Sequence, residues 1–297
     1  MQNITEILSH IESSHIIKGD ATHAYRDPAV YLEDGVFHIY MTLVETECDG
    51  TVYMYVVHTK TEDFREFAPM KKLTVRDRSK NFSSPGNIVR HDGRYKMCLQ
   101  TYCRENGEKY GNSRSRIYIM ESLDLESWGE PYPMLVKGDR PLSECGRMID
   151  PYLIYDDKSG MWSCFYKQSG VSRSVSRDLK YFEYCGHISG GENVSILKKD
   201  GGYYMFHSPK NGIGVKYSEN LTDWEDTGEL ITLGQSEWPW AQGRITAGVV
   251  IECDGGDAPI YIMLFHGTGP EDESVVFDNY AGIGIAWSRD LREWSWK

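Results

Sequence analysis

Three carboxylates in this chain each open an apolar, strand-like run. Asp27 precedes Pro28-Ala-Val-Tyr-Leu, Asp150 precedes Pro151-Tyr-Leu-Ile-Tyr, and Glu192 precedes Asn193-Val-Ser-Ile-Leu. They lie 123 and 42 residues apart, so only tertiary structure could unite them. Taken singly, an Asp before Pro is an ordinary turn signal. Gathered around one narrow opening, three acids repel one another, and one is pushed toward a raised pKa while another stays ionised. A protonated acid beside an ionised base is the equipment for cleaving a glycosidic bond. In the inverting form of that reaction the acid protonates the leaving oxygen and the base activates a water, across a gap of roughly 6.5–9.5 Å.

A repeat supplies the elements that would position them. The pattern Ser-x-Asp-Leu-x-x-Trp recurs as Thr61-Glu-Asp-Phe-Arg-Glu-Phe67, Ser122-Leu-Asp-Leu-Glu-Ser-Trp128, Ser176-Arg-Asp-Leu-Lys-Tyr-Phe182, Ser218-Glu-Asn-Leu-Thr-Asp-Trp224 and Ser288-Arg-Asp-Leu-Arg-Glu-Trp294. Its chemistry is that of a turn: the Ser and Asp side chains bond nearby backbone, while the Leu and the aromatic pin the turn to a core. Before each copy stands an apolar strand, a Gly/Asp turn and an aromatic-rich strand, which is a hairpin signature. A third strand follows each hairpin. Five repeats of about four strands predict an all-β fold, a five-bladed β-propeller. The propeller is expected to span residues 19–297 as a single domain. Residues 1–18, with Ile4, Ile7, Leu8 and Ile11 at helical spacing, form an N-terminal segment in which a short docked helix is possible.

Propeller topology turns this order into geography. Innermost strands run beside the axis, so the residues that open all five meet at one end of the channel: Asp27, Ser84–Asn87, Asp150, Glu192 and Arg244–Thr246. Loops after the second strands return to the same face, among them 102–113, 168–171, 208–212 and 266–279. The substrate-binding candidates on these segments are Asn87, Tyr102, Gln168, His207, Trp240 and Arg244. Trp240, in the run Trp238-Pro-Trp-Ala-Gln-Gly-Arg244, offers a surface on which a sugar ring could stack.

The fivefold plan, with Asp opening the first repeat, Asp-Pro the third and Glu the fourth, resembles glycoside hydrolase family 43. The likeness is carried by Arg26-Asp27-Pro28-Ala-Val, Ile149-Asp150-Pro151, and Glu192 followed by Asp200-Gly-Gly-Tyr-Tyr-Met. The resemblance implies a glycosidase in which Asp27 is the general base, Glu192 the general acid, and Asp150 the residue that tunes and orients that acid. Two departures stand out. Asn193-Val194 follows Glu192 where the family often has Gly-Pro. Arg244-Ile-Thr-Ala247 replaces a Gly-His-Gly stretch whose His can hold an axial ion, so no cofactor is expected and a calcium site is doubtful. Other chemistry is poorly provided for. The Gly-Ile-Gly pairs at 212 and 282 open strands instead of helices, and no G-x-S-x-G elbow occurs.

Composition narrows the partners. The formal net charge of −12 over 297 residues argues against nucleic acid or an anionic membrane as partner. No apolar run approaches a membrane span. The seven cysteines contain no C-x-x-C pair and read as reduced thiols. The first residues have neither a basic start nor an apolar core, so a cytoplasmic location is expected. The expected partner is therefore a small oligosaccharide or glycoside, cleaved from its end. Arabinofuranosides and xylosides are the leading candidates, and the oligomeric state is open. Two other functions fit the same plan. A glycoside phosphorylase would need a basic phosphate pocket, to which Arg244, Lys210 and His207 could contribute. A non-catalytic sugar-binding propeller would need no proton donor.

Overall fold

In the computed structural model, which describes residues 3–297, five antiparallel sheets are set around one axis. Residues 1 and 2 of the N-terminal segment lie outside the described residues. Each blade begins with an inner strand: His23–Glu33, Phe82–His91, Ile149–Asp156, Glu192–Lys199 and Arg244–Cys253. Strand order within each of the first four blades follows the chain, so each of them is an up-and-down meander built from local hairpins. Three of the first hairpins turn on Asp-Gly, at residues 34–35, 92–93 and 200–201, with both residues at positive φ. That is the geometry in which a two-residue turn matches the twist of its strands.

The recurrent motif makes the turn its chemistry requires. In the second copy the Ser122 hydroxyl oxygen accepts from the Leu125 N–H at 3.0 Å, and Asp124 accepts from the N–H groups of Glu126 and Ser127. The fourth residue of every copy adopts a left-handed φ, between 56° at Phe64 and 70° at Leu291. Such a conformation costs a non-glycine residue about 1–3 kcal/mol. Burial of those same side chains, each no more than 4% exposed, offsets it.

The ring closes in a way the repeat did not announce. The fifth blade draws its outer pairing from both termini: His15–Ile17 and Trp294–Ser295 each pair with Gly282–Ser288. Residues 15–17, read from sequence as part of a separate segment, are thus strand partners within the propeller. The helix Ile4–Ser9 precedes them, capped by Asn3, and buries Ile4, Ile7 and Leu8 in a core shared by the first and fifth blades. No helix among the described residues is long and apolar enough to cross a membrane.

Candidate active site

Every inner strand carries the same interruption near its start. Regular pairing breaks between Arg26 and Ala29, Ser83 and Asn87, Ile149 and Tyr152, Glu192 and Ser195, and Thr246 and Val249. At each break one residue takes a left-handed φ: Asp27 (48°), Ser84 (46°), Asp150 (53°), Asn193 (52°) and Ala247 (53°). Consecutive side chains in a strand point to opposite faces, and a bulge re-aims them. Here pairs such as Arg26 with Asp27, Ile149 with Asp150, and Glu192 with Asn193 line one cavity. The equivalence expected among the three acids is therefore inexact. Asp27 and Asp150 occupy the strained position itself, whereas in the fourth blade Asn193 holds it and Glu192 stands one residue earlier.

The cavity holds about 70 Å³ and is walled by Arg26, Asp27, Asp150, Glu192, Asn193 and Arg244, with Thr42, Gln100, Tyr102, Arg147, His266 and Phe277 completing it. Below it the axial channel narrows to about 20 Å³ between Pro28, Pro85 and Pro151, room for about one water. Above it a vestibule of about 810 Å³ shares Tyr102, Arg147, Glu192, Arg244 and Phe277 with the cavity. The site is a pocket that opens to the vestibule and continues along the axis only as a water-sized space.

Each acid has a distinct environment. Asp27 accepts from the Thr42 hydroxyl at 3.2 Å and from Asn193 Nδ2 at 3.3 Å, and its own backbone N–H donates to His266 Nδ1 at 3.0 Å. Burial raises its pKa above the ordinary carboxylate value, against the pull of Arg26. Asp150 accepts from the Ser84 hydroxyl at 3.0 Å, and its backbone N–H donates to Gln100 Oε1 at 2.6 Å. Burial, with the charges of Glu192 and Asp27 nearby, lifts its pKa to about 7. Glu192 takes bonds from Lys167 Nζ on one oxygen and from Arg244 at 2.8 Å on the other. Burial pushes its pKa up, but Lys167 and Arg244 outweigh burial and hold it at about 2. In the free site, then, Lys167 and Arg244 favour the ionised form of Glu192, while burial beside Glu192 and Asp27 favours the protonated form of Asp150.

Of the cations that pair with the acids of the site, only Arg244 was among the residues the sequence proposed. Glu273, buried on the loop after the fifth blade's second strand, pairs with both Arg26 and Arg244, and its Oε1 lies 3.5 Å from His266 Nε2. Arg26 also donates to the Phe277 carbonyl at 3.1 Å and lies over that residue's ring. Arg104 grips Asp278 on the same loop through two bonds of 2.6 and 2.8 Å. This loop is clamped over the mouth from the first, second and fifth blades. His266 accepts the Asp27 N–H on Nδ1, so its ring hydrogen sits on Nε2, facing Glu273; burial holds its pKa well below the usual value. Of these residues, Arg26 was visible in the Arg-Asp-Pro motif and His266 and Glu273 on a mouth loop. Lys167 gave no signal.

Among the substrate-binding candidates, Tyr102 and Arg244 line both the cavity and the vestibule. The other four do not line either. Asn87 ties the second blade to the third, donating to the Leu153 carbonyl at 2.7 Å and accepting the Leu153 N–H at 2.9 Å. Gln168 donates to the carbonyls of Cys145 at 2.7 Å and Arg147 at 3.0 Å, and so holds a mouth loop. His207 accepts the Gly191 N–H at 3.0 Å, behind Glu192. Gly191 itself packs so closely that a Cβ would sit 1.8 Å from the Ser208 carbonyl oxygen. Trp240 stacks on His15 at 4.0 Å and on Trp238 and Phe265, in the packing that joins the N-terminal strand to the fifth blade. Proximity in sequence to Arg244 did not reveal which side of the blade the indole would take. Among the described residues no cluster of three or more His, Cys, Asp or Glu side chains is arranged to hold a metal ion.

No family model and no curated protein matches the sequence. Solved structures do share its architecture. A family 117 glycoside hydrolase produced by the marine bacterium Zobellia galactanivorans superposes with a TM-score of 0.67 at 16% identity, covering 92% of this chain and 86% of that one. An exo-1,5-alpha-L-arabinanase from a bovine ruminal metagenomic library gives 0.63 at 18% identity, covering 94% and 98%. A thermostable family-43 glycoside hydrolase gives 0.61 at 14% identity, covering 94% of each chain. At such identities the likeness establishes the fold, a five-bladed β-propeller of the kind these glycosidases share.

Proposed function

We propose that the pocket is the active site of a glycoside hydrolase that removes terminal sugars from short oligosaccharides or glycosides by inversion. The observation that carries this reading is the meeting of Asp27, Asp150 and Glu192 at one cavity, where burial and the neighbouring charges raise the pKa of Asp150 to about 7. Asp27, fixed by Thr42, Asn193 and the His266-anchored backbone, is the base that draws a proton from water. Glu192 reaches both the cavity and the vestibule, the place for a leaving group, and delivers the proton. Asp150 holds that proton at rest. A leaving oxygen that competes with Lys167 and Arg244 for Glu192 weakens their hold and favours transfer of the proton to Glu192. The axial space below the cavity is too narrow for a sugar ring, so in this reading a terminal residue enters from the vestibule. The activities by which the structural neighbours are named, with the resemblance to family 43, favour arabinofuranosides or xylosides. In this reading the enzyme is cytoplasmic and needs no metal cofactor.

The test is Glu192→Gln. Glycosides with poor leaving groups should lose about 10²–10⁴-fold in kcat, the usual weight of general acid catalysis. Aryl glycosides whose leaving group departs as a stable anion should lose far less, and the alkaline limb of the rate profile should vanish. Equal losses on both, with the alkaline limb intact, would remove Glu192 from the mechanism.

A further inference from the structure

Most of the cations at the mouth are committed. Arg26 and Arg244 bind Glu273, Arg244 and Lys167 bind Glu192, and Arg104 binds Asp278. Arg147 differs. It lines both the cavity and the vestibule, yet among the described residues no carboxylate lies within ion-pair distance of it. Its one side-chain partner is the Tyr102 hydroxyl, 3.4 Å from a terminal nitrogen, and its guanidinium lies 5.4 Å from the Tyr102 ring centre. Its Nε–H is buried with no acceptor at all. A guanidinium carries five donors in a planar fork, and a buried one left unmatched is costly.

The backbone beneath Arg147 is held rigid. Gln168 donates to the Arg147 carbonyl at 3.0 Å, and Arg116 donates to the carbonyls of Gly146 at 2.6 Å and Leu142 at 2.7 Å. Of the carboxylates in the cavity wall and over it, Glu192 and Glu273 each already bind two cations, Asp27 accepts from Thr42 and Asn193, and Asp150 accepts from Ser84. What the fork lacks is a planar or tetrahedral oxyanion arriving from the vestibule.

We propose that Arg147 is a specificity residue for an anionic substituent on the substrate, a carboxylate or a sulfate ester, gripped by the guanidinium in the sugar-binding pocket. The inference rests on the glycosidase reading and narrows it from neutral pentosides to acidic glycosides. Two parallel N–H···O bonds from an arginine give such recognition both geometry and strength.

The experiment compares wild type with Arg147→Gln and Arg147→Lys on aryl glycosides in matched pairs: glucuronide against glucoside, galacturonide against galactoside, and galactoside 6-sulfate against galactoside, together with neutral arabinofuranoside and xyloside. Wild type should favour an acidic member by roughly 10- to 100-fold in kcat/KM, the weight of a charge-assisted hydrogen-bonded pair. Arg147→Gln should lose that preference, its loss on acidic substrates exceeding its loss on their neutral counterparts by about the same factor, while Arg147→Lys retains part of it. The favoured pair tells carboxylate from sulfate. Neutral substrates cleaved at least as well as acidic ones, with Arg147→Gln reducing both alike, would overturn the inference and leave the glycosidase reading standing. A parallel titration of the wild-type protein with glucuronate, galacturonate and galactose 6-sulfate against glucose and galactose, read by tryptophan and tyrosine fluorescence, does not depend on turnover. Salt-sensitive binding of an acidic sugar, lost in Arg147→Gln, supports the inference even if no glycoside is cleaved. Failure of every acidic sugar to bind better than its neutral counterpart overturns it. Release of sugar only when inorganic phosphate is added would show that the oxyanion is a co-substrate, and would overturn a substituent on the sugar.

Discussion

Replacing Asp150 by Asn should make the protein more stable as pH rises, even as it damages the site. Asp150 is 7% exposed and its pKa stands at about 7 against an ordinary 3.8. Below pH 3.8 the carboxyl is protonated in both folded and unfolded chains and contributes nothing to the pH dependence. Between about pH 4 and 7 the unfolded chain releases the proton while the folded chain keeps it, so folding is progressively weakened. Above pH 7 both states are ionised and the penalty is constant. A difference of roughly three pKa units corresponds to about 4 kcal/mol at most, since one unit is worth about 1.4 kcal/mol. The amide of Asp150→Asn cannot ionise, and its oxygen can still accept from the Ser84 hydroxyl, which bonds Asp150 at 3.0 Å. Urea unfolding of both proteins, at matched pH values from about 4 to 8, gives the difference directly. The stability of Asp150→Asn minus that of wild type should rise by about 2–4 kcal/mol across that range, on top of any constant offset. A difference that is flat or falls with pH would show that Asp150 is not held protonated in the folded state. The proton reservoir of the proposed mechanism would then be lost.

Asp27→Asn should abolish cleavage of good and poor leaving groups alike, because an amide cannot take the proton of the attacking water; substantial turnover of an activated aryl glycoside would place the base elsewhere. Lys167→Met should move the alkaline limb of kcat/KM to higher pH. Removing one of the two cations on Glu192 favours its protonated form, and because Lys167 is 38% exposed the shift should be only about one pH unit; a limb that stays or moves down contradicts the electrostatic account. Extended dialysis against EDTA should leave activity unchanged, since acid and base are both side chains; loss that calcium restores would require an ion in the chemistry or the fold.

Much of the architecture was legible because it is local. Ser-x-Asp-Leu encodes a hydrogen-bonded turn within four residues, Asp-Gly encodes a hairpin within two, and five copies of the first, each behind a hairpin, imply five meanders. Asp27, Asp150 and Glu192 could be placed at one mouth because each stands near the start of an inner strand, Asp27 four residues past it. What tertiary structure decided depends on contacts that no local pattern encodes. Arg26 meets Glu273 across 247 residues, and Arg244 meets Glu192 across 52. Lys167 reaches Glu192 from the blade next door, and these encounters hold the Glu192 carboxyl below its ordinary pKa. A strand's alternation tells which residues share a face, but one bulged residue reverses that parity. Asn193 therefore stands in the position of the two aspartates, and Glu192 stands beside it. The aromatic run at 238–240 shows the same limit. Its composition suits a sugar or a core equally, and only the arrival of His15, from the opposite end of the chain, assigned Trp240 to the core.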